Sequence, residues 1–137
     1  MQVFVIGSPF LTAMYLDSKR LNKQIIECDQ ILDALYGRKH GWKNHPCTIQ
    51  YRNHITWLEL YTQCLTLYKR GAIVEAQLIS MKANEVKPYW HTDEYLTNMK
   101  RRLYTKNNNH YMHWRNLGES YENWYWVDNR WKIYKQK

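Results

Sequence analysis

Between residues 11 and 35 apolar side chains return every three or four positions, at Leu21, Ile25, Cys28, Ile31, Leu32 and Leu35. That period predicts an amphipathic helix over residues 11–35, with a break near Leu16 and Asp17 and an end at Gly37. Ahead of it, "VFVI" at residues 3–6 reads as a short extended stretch. Gly7, Ser8 and Pro9 break it, and Pro9 also suits the first turn of the next helix. The loop "YGRKHGWKNHP" follows. A second helix is expected over residues 48–70, with Ile55, Leu58, Tyr61, Cys64, Leu65 and Tyr68 on its apolar face and Gly71 at its C′ position. A third runs over residues 73–83. Pro88 blocks continuation, and Thr92 or Asp93 caps a fourth that ends near Tyr104. In the remaining segment Gly118 and the Asp128-Asn129 pair mark turns. The pattern predicts a mainly α protein: one compact multi-helix domain over residues 1–137, with long loops and an aromatic-rich C-terminal segment.

Composition adds a direction. With 45% hydrophobic residues a core is feasible, and the net charge of +8 favours an anionic partner, nucleic acid first. Seven Trp and twelve Tyr against two Phe supply flat faces with polar handles. In the tail, Trp124, Tyr125, Trp126, Trp131 and Tyr134 alternate with Arg130, Lys132 and Lys135, which suits either core packing or a stacking platform for bases. Cys28, Cys47 and Cys64 form no C-x-x-C pair, so reduced thiols in a cytoplasmic protein are expected. The N-terminal run lacks a basic flank and is too short to span a bilayer, and no membrane partner is expected. His110 and His113 lie three apart without an acidic or Cys partner, so no metal is expected. Phosphate-loop and dinucleotide fingerprints are absent, so neither a nucleotide nor any other cofactor is expected; a monomer is.

The first long helix carries a second stripe beside its apolar one: Asp17, Arg20, Lys23, Gln24 and Glu27. Such a row is either a wet face of salt bridges worth a few tenths of a kcal/mol each, or a working surface. A carboxylate among cations stays ionised. "MKRRLYTK" groups Lys100, Arg101, Arg102 and Lys106 at the end of another helix, as a solvated basic face or as phosphate contacts.

The motifs on these elements resemble the pyrimidine-dimer DNA glycosylase family, the phage endonuclease V type with its bacterial and phage relatives. The early helix pattern L-D-x-x-R-L-x-K-Q-x-x-E-x-x-Q-I-L is met by Leu16, Asp17, Arg20, Leu21, Lys23, Gln24, Glu27, Gln30, Ile31 and Leu32. Gly41, Trp42, Asn44, His45 and Pro46 meet G-[YW]-x-N-H-P. A looser third block involves Pro88, Trp90, Asp93, Glu94, Leu103, Lys106, His110 and Tyr111.

The resemblance implies a mainly helical protein that binds double-stranded DNA, extrudes a damaged or modified pyrimidine, and removes it by amine attack at the sugar C1′. Abasic-site lyase chemistry through a Schiff base then follows. It also implies that a glutamate on the first long helix stabilises developing positive charge, and Glu27 is the only Glu there; Asp17, Asp29 and Asp33 are rival carboxylates. Arg20 and Lys23 are candidates for holding the phosphates that flank the lesion, Lys100, Arg101, Arg102 and Lys106 are candidate phosphate contacts of the basic patch, and Lys43 is a candidate DNA contact. Gln24 is a candidate for bonding a base edge or an extruded nucleotide, and Asn44 is a candidate DNA contact on a constrained loop that could reach the same cleft. His45 is a candidate proton carrier, or a cap for the second helix. The best-studied members use a threonine amine exposed by removal of Met. This chain reads Met1-Gln2, and Met is retained before a residue as large as Gln. The nucleophile is therefore the Met1 amine, Lys23, or water. The alternatives to an enzyme are a non-catalytic DNA-binding protein of the same fold and a protein-interaction module.

Overall fold

The computed structural model describes residues 1–136. Residues 2–6 run through its interior as extended chain without a strand partner. Buried backbone polar groups need partners, and here side chains supply them. Gln24 accepts from the Phe4 N–H at 2.7 Å and donates to the Gln2 carbonyl at 3.0 Å. Thr12 Oγ1 accepts from the Ile6 N–H at 3.2 Å. The hydroxyls of Tyr61 and Tyr125 donate to the carbonyls of Phe4 and Met1. The chain start is thereby tied to three separate helices and a strand.

Pro9 opens α1 (Pro9–Tyr15), and the Ser8 hydroxyl accepts from the Leu11 N–H. The predicted break falls where expected: Leu16 and Asp17 are extended and α2 (Ser18–Leu35) follows. It buries Leu21, Cys28, Ile31 and Leu32, and Gly37 at φ 74° ends it. The predicted second helix is two helices, α3 (Pro46–Gln50) and α4 (Ile55–Lys69). Tertiary packing overrides the period here. The Tyr51 ring is fully buried and stacks on Trp57 at 5.5 Å, while His54 accepts from the Trp90 indole N–H. Both contacts require the turn at residues 51–54. Helix α5 spans Ile73–Glu85 and α6 spans Asp93–Lys106, the latter capped by Thr92, which accepts from the Tyr95 N–H.

After a 3-10 helix (Met112–Leu117) come β1 (Glu122–Val127) and β2 (Arg130–Lys135), an antiparallel hairpin. Asp128 and Asn129 both have positive φ, 56° and 59°, the signature of a two-residue type I′ turn. The sequence marks that turn but not the strands beside it. Asn123, Tyr125 and Val127 alternate along β1 and are buried.

The fold is mainly α. Helix α4 lies at its centre, packed on α1, α2 and α5, and buries Trp57, Leu58, Tyr61 and Leu65. All three cysteines are buried and unpaired, and burial pushes Cys47 and Cys64 up to about 12. Among the described residues no helix is long and apolar enough to cross a membrane, and no cluster of three His, Cys, Asp or Glu side chains is placed to hold a metal ion.

Candidate active site

The border of α2 between its buried and wet faces looks into a cavity of about 220 Å³. Arg20, Lys23 and Glu27 project into it at helical spacing. Met1 and Gln2 form another wall, because Gln24 and Tyr125 hold the N-terminal segment against α2 and β1. The far wall comes from α6 and β1, through Arg102, Lys106 and Asn123. Among the described residues, five cationic side chains, Lys19 among them, face one side-chain carboxylate, that of Glu27. A concave surface with that imbalance concentrates phosphate-bearing ligands.

The charges are specifically wired. Lys23 Nζ lies 3.7 Å from Glu27 Oε1; the lysine is largely exposed and the glutamate mostly buried. Arg20 does not pair with Glu27. Its guanidinium bonds both oxygens of Asp17, at 3.2 and 3.1 Å, and reaches the Lys106 carbonyl. Burial alone would raise the Asp17 carboxyl. The Tyr111 hydroxyl donating to it at 2.6 Å, then Arg20, outweigh burial and hold it below the usual range. Asp17 is therefore a fixed anion that orients Arg20. Lys106 is exposed overall at the cavity rim, yet the wall around it desolvates its ammonium and lowers its pKa. Arg102, Arg20 and Lys23 push it the same way, and Glu27 opposes them.

Of the residues singled out from sequence, Met1, Arg20, Lys23, Gln24, Glu27, Arg102 and Lys106 converge on this cavity. Gln24 is a special case. Periodicity places it in the polar stripe, but it is only 3% exposed and its amide is engaged by backbone at both ends. It holds the wall in place. His45 caps α3, its Nδ1 accepting from the Cys47 N–H at 3.0 Å. Burial, then the nearby Met1 ammonium, lowers its pKa. In the neutral ring Nε2 then carries the hydrogen, so no lone pair is free to take a proton. His45 stands beside the N-terminus and outside the cavity lining.

Lys43 and Asn44 are exposed on the same loop, also outside the lining. The basic group on α6 divides. Arg102 and Lys106, four apart, face the cavity, whereas Lys100 and Arg101 do not, and Arg101 is tied to the Leu117 carbonyl at 2.7 Å. Gln2, Lys19 and Asn123 line the cavity without having been singled out. For Asn123 the missed signal was its place in the alternation with Tyr125 and Val127. Gln2 carries no comparable signal.

This geometry lies largely within the part of the chain that is recognisable by comparison. A model of the family described as pyrimidine dimer DNA glycosylase matches residues 1–71, just over half of the chain. The match takes in the N-terminal segment and α1 to α4, and so Met1, Arg20, Lys23 and Glu27. No curated protein and no solved structure matches the chain. The chain belongs to the pyrimidine dimer DNA glycosylase family, and with that to the enzymes of DNA repair that take DNA as substrate.

Proposed function

We propose that the cavity is the active site of a DNA glycosylase with abasic-site lyase activity, in which the Met1 amine is the nucleophile and Glu27 the working carboxylate. One observation carries the reading: the chain's N-terminal residue and Glu27 line the same cavity, amid cations suited to phosphates. The amine attacks C1′ of an extruded nucleotide as the glycosidic C–N bond breaks, and the base leaves with its bonding electrons and a proton. Opening of the sugar ring gives an imine. Loss of a C2′ proton then expels the 3′ phosphate, and water releases the enzyme. Glu27 stabilises positive charge developing at C1′ and accepts the C2′ proton.

Preorganisation favours Met1 over Lys23. The Met1 carbonyl is held by the Tyr125 hydroxyl at 2.6 Å, and the next residue by Gln24 at 3.0 Å. Lys23 has a side chain 70% exposed, its ammonium beside Glu27. A fixed amine loses less entropy on reaching a reactive geometry than a long mobile one. Arg20, Lys23 and Lys106 hold the phosphates flanking the nucleotide.

Borohydride trapping on duplexes carrying a pyrimidine dimer or an abasic site tests this. A covalent adduct mapping to the N-terminal peptide is expected. Two residues added ahead of Met1 should abolish it, and Lys23→Met should keep it. An adduct on Lys23 would overturn the assignment of the amine. Base release without any adduct would make the enzyme a monofunctional glycosylase using water. Glu27→Gln should bind duplex DNA and lose turnover by about 100-fold or more. Unchanged turnover would remove Glu27 from the mechanism.

A further inference from the structure

Asp17 stands at the N-cap of α2, where an aspartate ordinarily accepts from the helix's own first N–H groups. Here its carboxylate makes no such bond. Oδ1 instead accepts from the Tyr111 hydroxyl at 2.6 Å, and both oxygens accept from Arg20 Nη1. The first turn that follows holds no acidic residue and carries Lys19 and Arg20. Cations are unfavourable at the positive end of a helix dipole. Two local rules of helix stability are thus broken over residues 17–20, and both departures favour positive charge at the cavity.

The group that draws Asp17 away comes from far along the chain. Tyr111 is fully buried, and its ring lies parallel to that of Trp114 with centroids 5.5 Å apart. Its hydroxyl also accepts from the Asp17 N–H at 3.0 Å, so it grips that residue by backbone and side chain together. Beside it His110 Nε2 donates to the Tyr15 carbonyl at 2.9 Å. The segment after α6 is thereby fastened to the bend between α1 and α2. Arg20 is held on its other side by the Lys106 carbonyl, 3.4 Å from Nη2. Its side chain is 18% exposed and lines the cavity. A guanidinium already fixed in this way loses little further freedom on meeting a phosphate.

We propose that Tyr111 is a positioning residue of the DNA-binding site: by taking Asp17 from its capping role, it sets the Arg20 guanidinium against a phosphate beside the damaged nucleotide. A tie serving stability alone would leave the aspartate on its own helix, where it caps. The place of that phosphate rests on the glycosylase reading; the coupling of Tyr111 to Arg20 does not. Tyr111 lies beyond the residues that the family model matches, so the C-terminal half of the chain supplies this part of the site.

The test is a double-mutant cycle, read as binding to a duplex carrying one tetrahydrofuran residue, an abasic-site analogue that no amine can trap. Tyr111→Phe keeps the buried ring and changes no charge. It should weaken binding about fivefold to tenfold and lower the slope of log affinity against log salt by up to about 1, because a phosphate contact is released. In an Arg20→Met background the same substitution should change affinity less than about twofold. Asp17→Asn keeps the shape of the anchor and removes its charge. It should also weaken binding, although the protein becomes more positive. Thermal melts identify the folded variants, and if Tyr111→Phe does not fold, the cycle of Asp17→Asn with Arg20→Met decides. Equal losses with and without Arg20, an unchanged salt slope in Tyr111→Phe, or tighter binding by Asp17→Asn would overturn the proposal. Coupling with no borohydride adduct would keep this clamp and remove the amine mechanism. An adduct with no coupling would do the reverse.

Discussion

The hydrophobic centre and the cavity use polar groups in opposite ways. In the centre, Tyr51, Trp57, Trp90, His91 and Tyr95 pack ring against ring, and their polar handles mostly pair inward. The Tyr51 hydroxyl meets His91 Nε2 at 3.2 Å, and the Trp90 indole donates to His54 at 3.1 Å; the Tyr95 hydroxyl is the exception. Around the cavity the scaffold is equally well tied, by Gln24, Tyr125 and Ser120, but Gln2 Nε2 and Oε1, Arg102 Nε and Asn123 Oδ1, buried in its walls, are left without protein partners. Two of the polar handles around Trp90 are paired and one is not, whereas four buried atoms of three residues around the cavity lack partners.

The largest expected effect belongs to the centre. Burial drives His91 down to about 3, with His54 and Lys87 adding to it. The unfolded chain takes up a proton on this ring near pH 6.5, and the native state does so only near 3. The unfolded state therefore binds more protons across that window, and stability falls as pH drops from about 6.5 toward 3. The loss is on the order of 4–5 kcal/mol at 1.36 kcal/mol per pH unit. Denaturant midpoints for His91→Phe should lose most of that slope, even though the unpaired Tyr51 hydroxyl lowers stability at neutral pH. A slope unchanged by the substitution would mean that acid sensitivity resides elsewhere. Next in size is the loss of turnover in Glu27→Gln, about 3–4 kcal/mol of transition-state stabilisation. Each change should leave the other region's readout alone.

The helices were legible because their signals are local. Leu21 through Leu32 repeat at helical period, Ser8-Pro9 and Thr92 cap, and Gly37 and Gly71 sit at positive φ. Half of the cavity was legible for the same reason, since Arg20, Lys23 and Glu27 share one side of one helix. The remainder depends on long-range placement. Nothing local shows that Gln2 will face Arg102 and Asn123 across a cavity, or that Gln24 will turn inward to hold the strand-like start of the chain. The 51–54 turn fails in the same way, because buried rings set it against the period of the surrounding residues. In the tail, stacking of Trp131 on Tyr95 at 4.9 Å gives that ring to the core, which the alternation of aromatic and basic residues left open.

Gln2→Met sharpens the contrast at smaller scale. In the centre, removing a paired polar group costs stability. At Gln2 the amide has no protein partner, so an apolar side chain of similar shape should be neutral or stabilising, by up to about 1–3 kcal/mol. Chemical denaturation of the free protein should show a midpoint at or above that of the wild type. A clear fall would show that the amide is satisfied in solution and that the contrast between the two regions is smaller than the side-chain contacts indicate.

The smallest expected effect separates the cavity's rim from the rest of the basic surface. Lys23 is exposed and stands at the mouth, whereas Lys69, at the end of α4, lies outside the lining. A phosphate contact contributes about one released counterion, so Lys23→Ala should weaken duplex binding a few-fold, alike for every sequence. It should also lower the slope of log affinity against log salt by roughly 1. Lys69→Ala should change neither. Equal salt slopes for the two variants would mean that DNA is held by the diffuse charge of the whole molecule, and that the cavity mouth has no privileged hold on the phosphates.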